Sequence, residues 1–522
     1  MSAFFRRTRS PFVFFALISL IISFVFVRLI NAPGYTDAFY HFNAAARLAN
    51  GDGLTEPYLW TYIGAPETLP ESGVFPSHLY WMPLTSIAAG VSMRVFGITY
   101  AAAQIPLWLM FWLTTLIGWG IGRRIGGTRR HAWIAGLLTL FSGFFTRYWG
   151  ATDTFAVYAL AGSACLALLG LLNDPKYMRL PVIFAAGVFA GVGHLTRADG
   201  LLLGILGAAV LLFLSHRNTP ISKKILMFGV LFAGYLAVMG FWFIRNLDEI
   251  GTALPVGGVQ SAWFRGYDDL FSFPPDASPS VLFAEGLGAF VQSRWEAFTN
   301  NLGTFIAVEG LIAFAPLMLI GLWRRRGDRF LHPFALYAIG LHLAFTIVFP
   351  FPGYRGGLLH SAAALIPFWA ALSVVGLDEV IGWWGKRRRW RVESARRVFS
   401  GALVLYAIGL SIWIGGRGQV STGETPTLYQ WLDARLPDDA RVMINDPAML
   451  YYFTGFGGVV IPNESPDVIA EIAERYQIDY VVIESYGMPA PLRTILEMPP
   501  DFLREIAREG DVILYQLVDV RQ

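Results

Sequence analysis

One cysteine stands in 522 residues, and Cys165 lies inside an apolar run, so the chain has no intramolecular disulfide and no thiolate metal site. Any part that folds outside a membrane has to hold by packing. Charged residues are also few, 15% against 55% hydrophobic, and mean hydropathy is positive. Apolar runs therefore outnumber what a soluble core of this size needs. The formal charge of +3 says little, because membrane proteins place basic residues by side rather than by sum.

Runs long enough to span occur at about 11–30, 101–122, 132–148, 154–172, 180–196, 200–214, 225–244, 303–322, 333–349, 358–380 and 398–416. They predict a polytopic α-helical protein with about 11 transmembrane helices, multi-pass in the cell membrane. Arg6, Arg7 and Arg9 precede the first run, which is too long for a signal-peptide core and is followed by no small-residue cleavage pattern. It reads as an uncleaved helix with a cytoplasmic N-terminus. The later connections alternate in charge, and one set holds Arg123, Arg124, Arg129 and Arg130, then Lys176 and Arg179, then Arg217, Lys223 and Lys224, then Arg324, Arg325, Arg326 and Arg329, and finally Lys386 to Arg397. The positive-inside rule makes these cytoplasmic, where they orient the chain and meet lipid headgroups. His78 to Gly97 is a further apolar segment whose crossing would flip every later loop. Its Pro83, Arg94 and polar flanks suit a helix lying in the outer leaflet instead.

The outer face then receives long loops at about 31–100 and 245–302 and short turns at Tyr148 to Asp153, Arg197 to Asp199 and Phe349 to Gly357. From about residue 417 acidic residues, prolines and short β-branched runs replace the apolar helices. Strands are expected at 441–446, 459–462, 480–484 and 512–515, with helices at 426–436, 466–477 and 500–508. The division is thus a membrane domain, 1–416, and a small extracytoplasmic α/β domain, 417–522, which has no Gly-rich phosphate loop and no obvious nucleophile and is expected to dock on the outer face.

Three carboxylates stand where apolar runs end: Asp37 in Gly34-Tyr35-Thr36-Asp37-Ala38-Phe39-Tyr40-His41, Asp153 in Arg147-Tyr148-Trp149-Gly150-Ala151-Thr152-Asp153, and Asp199 in Arg197-Ala198-Asp199. Each precedes a helix, and a cap explains each one singly. Caps explain less well why two of the three turns carry an arginine at a depth where an unpaired charge costs roughly 2.5–3.5 kcal/mol. Carboxylates and arginines at one face suit sugar transfer from a lipid phosphate. A base takes the acceptor's proton, and cations stabilise a phosphate that already leaves as an anion. Glycoside hydrolysis differs, because an alkoxide leaving group calls for a second carboxyl as acid.

These residues resemble the GT-C superfamily of polyprenyl-phosphate-dependent glycosyltransferases, which includes protein O-mannosyltransferases, aminoarabinose transferases and oligosaccharyltransferase catalytic subunits. Tyr35 to His41 is similar to the family's first acidic motif and Arg147 to Asp153 to its second. The helix near Pro83, the Arg197 and Asp199 turn, and Asn445-Asp446-Pro447 with Tyr451-Tyr452-Phe453-Thr454-Gly455 extend the likeness. The resemblance implies a GT-C fold and transfer of a sugar from a polyprenyl-phosphate donor to a protein, lipid or glycan acceptor on the outer face, with inversion. It makes Asp37 the catalytic base and Asp153 its partner near the acceptor or a metal, although a single Asp stands at 37 where many relatives carry an acidic pair.

Other residues have two readings each. His41, one turn after Asp37, joins Asp37 and Asp153 in a conceivable divalent-metal set, or hydrogen-bonds at the interface. No other cofactor and no nucleic acid is implied. Arg355 and His360 are placed to grip the donor phosphate, or Arg355 snorkels to the interface. Arg245 has similar alternatives, Arg197 is a phosphate ligand or the partner of Asp199, and Trp149 is an interfacial residue or stacks on a sugar ring. Two other functions compete: a transporter or flippase of lipid-linked sugars, which would hold polar groups on broken mid-membrane helices, and a non-catalytic scaffold, which has no need of Asp37 and Asp153.

Overall fold

The computed structural model describes residues 2–64, 73–214, 219–255, 257–417, 424–485 and 488–518, with side chains from residue 11 on and without those of residues 214 and 417. Arg217 and the side chains of Arg6, Arg7 and Arg9 therefore lie outside the described residues. The chain forms two compact units. One comprises Met1–Ala32, Gln104–Trp242 and Arg294–Val420, the other Pro33–Ala103, Phe243–Ser293 and Ser421–Gln522. The grouping takes in the first loop and the segment before 294 together with the C-terminal residues, where the sequence suggested one boundary near 417.

The first unit is helical. Tyr100–Gly126, Ile221–Ile250, Arg329–Val348, Pro350–Arg388 and Val392–Gly416 are long and apolar enough to cross a membrane, and shorter apolar helices include Pro11–Val27, Phe155–Leu171 and Leu180–Thr196. Twenty-seven residues in the first of these rise about 40 Å, more than the ~30 Å of hydrocarbon. Where Ala315–Arg324 meets Ile366–Arg388, Gly321 faces the carbonyl of Leu372 and Gly376 the carbonyl of Leu317, and a Cβ at either position would overlap that oxygen. Small residues set this close crossing, as is usual for helices that cannot rely on the hydrophobic effect.

The expected loop at 245–302 is largely regular at its ends. Ile221–Ile250 runs past the loop's start, and Gly286–Thr304 is a helix. Its polar content hides it from a hydropathy window, yet Leu287, Val291, Trp295, Phe298 and Leu302 recur at helical spacing and are all exposed. A π turn, Phe305–Glu309, follows; Leu311 and Ile312 then take positive φ of 44° and 65° and break the helix before Ala315.

The second unit is α/β. Its strands are β1 (Thr55–Glu56), β2 (Tyr58–Leu59), β3 (Phe75–Pro76), β4 (Arg441–Ile444), β5 (Gly457–Val460), β6 (Tyr480–Glu484), β7 (Leu503–Glu509) and β8 (Val512–Leu517). Six form one sheet in the order β2-β5-β4-β6-β8-β7, parallel as far as β6 and antiparallel beyond it. β2 comes from the first loop and pairs Tyr58 with Gly458. Leu59, Tyr62, Phe75, Leu79 and Phe273 likewise join Met443, Val459 and Ile483 in one core, so the C-terminal segment does not close its hydrophobic layer alone.

Helices Thr427–Asp433 and Pro466–Tyr476 occupy two of the three expected places. The third expectation, a helix at 500–508, is corrected: Leu503–Glu509 is strand β7, because Glu509-Gly510-Asp511 makes the turn of a hairpin with β8, with Gly510 at φ 57°. A helix not foreseen, Pro447–Thr454, follows β4. In the first loop Thr36–Asn50 packs on Leu84–Phe96 through Ala45, Ala89 and Met93. Leu84–Phe96 has 13 residues, a rise of about 20 Å that falls short of the hydrocarbon thickness.

Candidate active site

In the helical unit, Asp153 and His360 meet. Asp153 precedes Phe155–Leu171 and is 1% exposed, and its Oδ2 lies 2.8 Å from His360 Nε2. His360 Nδ1 is 2.7 Å from the Gly356 carbonyl, which can only accept, so Nδ1 carries a proton. The second ring nitrogen and the carboxylate therefore share a further proton or hold a cation in its place. Phe155 stacks on the imidazole at 4.1 Å, with Tyr148 stacked on Phe155 in turn.

A second pair braces the first. Arg197 Nε donates to Asp199 Oδ1 at 3.0 Å and to Ser361 Oγ at 2.9 Å, and the other guanidinium nitrogens reach Thr154 Oγ1 at 3.4 Å and the Gly357 carbonyl at 3.3 Å. Thr154 follows Asp153 and Ser361 follows His360, so one arginine ties the two segments that present the pair. Asp199 Oδ2 also accepts from Ser361 and from Tyr158, whose hydroxyl lies 2.6 Å from that of Tyr337. Of the residues singled out in the sequence, this cluster gathers Asp153, His360, Arg197 and Asp199. It adds Thr154, Ser361, Tyr158 and Tyr337, hydroxyls inside apolar runs that carried no signal.

Two more candidates belong to this unit. Arg147 is exposed and lies over the Tyr148 ring at 5.8 Å, and Arg355 is exposed in the Gly353–Gly357 turn. Trp149 is fully buried, stacked on Phe111 at 4.5 Å and beside Phe145, with Nε1 donating to Ser142 Oγ. That packing leaves no ring face for a sugar, and it corrects both readings of this residue.

The other candidates belong to the second unit. Asp37 is half-buried in the first turn of Thr36–Asn50, where a carboxylate complements the helix dipole. The cap position is Tyr35, so a helix cap does not account for Asp37. His41 is buried, with Nδ1 2.8 Å from Ser86 Oγ, which is 2.9 Å from His78 Nε2; His78 Nδ1 continues to Ser77 Oγ. This is the hydrogen-bonding reading of His41. Arg245 donates to the Leu54 carbonyl at 3.1 Å and to Asn246, within this unit.

Glu56 was not foreseen. It is buried, and that burial pushes its carboxyl up from 4.5 to about 8 against the hydrogen bond of Tyr40 and the pull of Arg245 and Arg47, which hold it lower. At neutral pH it is largely the neutral acid. Burial, with the neighbouring His41 and Arg245, drives His78 the other way, well below its ordinary value.

No family model and no curated protein matches the sequence. Solved structures match over most of the chain. ArnT from Cupriavidus metallidurans bound to undecaprenyl phosphate is 14% identical over 98% of both chains, with a TM-score of 0.57. The Archaeoglobus fulgidus oligosaccharyltransferase in complex with Zn and sulfate is 14% identical over 94% of this chain and 71% of that one, at 0.59. AglB from the same organism, in complex with an inhibitory peptide and a dolichol-phosphate, is 11% identical over 92% and 69%, at 0.53. At such identities the likeness is one of fold alone: the chain has the fold that ArnT and the oligosaccharyltransferase AglB share.

Proposed function

We propose that this protein is an integral membrane glycosyltransferase that moves a sugar from a polyprenyl-phosphate carrier to an acceptor on the outer face. The observation that carries the reading is a fold held over 98% of its length in common with a structure bound to undecaprenyl phosphate. An acceptor hydroxyl or amide attacks the anomeric carbon, the bond to the phosphate oxygen breaks, and the carrier leaves as its phosphate anion. A base takes the acceptor's proton, and a single displacement inverts the anomeric centre. Asp37 is the base in this reading, by its match to the family's first acidic motif. Arg147 and Arg355, exposed cations, serve the phosphate. Arg197, surrounded by four acceptors, is a brace and not a phosphate ligand.

Asp153 and His360 are ordinary ligands for a divalent cation, and their facing Oδ2 and Nε2 fit one. A bound cation would supply positive charge to a phosphate oxygen. Membranes given labelled polyprenyl-phosphate sugars test the function. Asp37→Asn is expected to keep thermal stability while lowering kcat by roughly 10² to 10⁴, the worth of a positioned base. An Asn variant with full activity removes Asp37 from the chemistry. Loss of transfer with EDTA and its return with a single added metal ion would identify the cation.

One feature favours transport of lipid-linked sugars as a second reading. Glu309, its side chain wholly buried, accepts from Trp369 at 2.7 Å and lies 3.0 Å from His342, just before the break at Leu311 and Ile312. Proteoliposomes separate the two: a transporter moves labelled lipid-linked sugar across the bilayer with Asp37→Asn in place, and a transferase variant does nothing.

A further inference from the structure

The Thr36–Asn50 helix, which carries Asp37, is held along one face by the Pro447–Thr454 helix of the C-terminal segment. Thr36 Oγ1 donates to Asp446 Oδ2 at 2.6 Å, Asn43 Nδ2 to the Ala448 carbonyl at 2.8 Å, and Arg47 reaches the Tyr451 hydroxyl at 3.5 Å. Between these polar contacts Phe39 packs on Tyr452 and Phe453 at 5.0 and 5.7 Å. Positions 36, 39, 43 and 47 fall in one stripe at about 100° per residue, and Asp37 lies about 100° off it. Docking therefore uses the neighbours of Asp37 and leaves its carboxylate to the side.

Asp446 is the pivot of this contact. Its Oδ1 accepts from the Met449 amide at 2.9 Å and caps Pro447–Thr454, while Oδ2 takes the Thr36 hydroxyl at the start of the other helix. One carboxylate ties two helix N-termini, and the residue after Thr36 is the proposed base. We infer that Asp446, acting through Thr36, is a positioning residue that fixes the first turn carrying Asp37 for transfer. The inference rests on the base assignment made above and gives the C-terminal segment a part in catalysis.

Thr36→Val removes one hydroxyl while keeping the side chain's shape and the cap on Pro447–Thr454. The probe is a radiolabelled polyprenyl-phosphate hexose or pentose that the wild-type chain turns over. Thr36→Val is expected to lower kcat about tenfold or more, as a misplaced catalytic group does, with KM for the donor unchanged. Thr36→Ser is expected to restore the rate. Hydrogen exchange at the Phe39 amide, bonded to the Tyr35 carbonyl at 3.0 Å, reports the same loosening without any substrate and is expected to quicken in the Val variant. The double variant with Asp37→Asn is expected to be no slower than Asp37→Asn alone. Wild-type kcat in Thr36→Val beside a dead Asp37→Asn overturns the positioning role and spares the base assignment. Full activity in Asp37→Asn overturns the base assignment, and the positioning role with it.

Discussion

Arg197 shows how much one half-buried cation can organise. Arg197→Ala leaves the carboxylate of Asp199, bonded at 3.0 Å and 17% exposed, without its charge partner. Breaking a buried pair from one side costs roughly 3–5 kcal/mol, so the variant is expected to melt far below wild type in detergent. Adding Asp199→Asn is expected to recover part of the loss. Glu56 supports a pH prediction. Its folded value near 8 exceeds the ordinary 4.5, so the folded chain keeps a proton that the unfolded chain releases, and stability rises as pH falls through 8. His78, held neutral, opposes this once pH drops below its ordinary value of 6.5. Between about pH 8.5 and 7 the melting temperature is thus expected to climb, and Glu56→Gln to flatten that slope. Asp153, Arg197, Asp199 and His360 were legible because charge at the end of an apolar run is expensive and reports a use. Thr154 and Ser361 were not, since Ser and Thr hydroxyls inside such runs usually bond their own backbone, as Ser163 and Thr139 do here.

At the scale of the element, hydropathy located the apolar helices and erred where a second pattern overlay the first. Gly286–Thr304 combines an apolar stripe with enough polar residues to resemble a loop, and its period shows only when the stripe is counted. Leu503–Glu509 carries charges at helical spacing, yet the Gly510 turn and the pairing of Leu503 with Leu517 make it a strand. Tertiary pairing outweighs local period in so short a segment. The glycine crossing of Ala315–Arg324 with Ile366–Arg388 is a feature that composition cannot place, because it depends on which carbonyl each glycine faces. Gly376→Leu forces the helices apart and is expected to cost roughly 1–3 kcal/mol or more, read as a lower melting temperature. Gly382→Leu, on the same helix with nothing within 4 Å of its Cβ position, is expected to change little.

For the whole molecule, the alternating basic loops predict an orientation that labelling can test. In a Cys165→Ser background an impermeant thiol reagent applied from outside is expected to modify Glu509→Cys and to leave Arg388→Cys untouched, both positions being exposed. Labelling at 388 would invert the proposed topology. The α/β composition of the C-terminal segment was legible, but its dependence on the first loop was not, because β2 is two residues long and its partner lies four hundred residues away. That pairing has a consequence for how the chain is made. A ribosome releases Tyr58 and Leu59 long before Gly458 and Val459 exist, so the first loop waits through the insertion of every later helix with its strand unpaired and its core residues wet. A chain stopped at 420 is then not a smaller molecule but an unfinished one, open to proteases at the first loop, whose folding waits for β5.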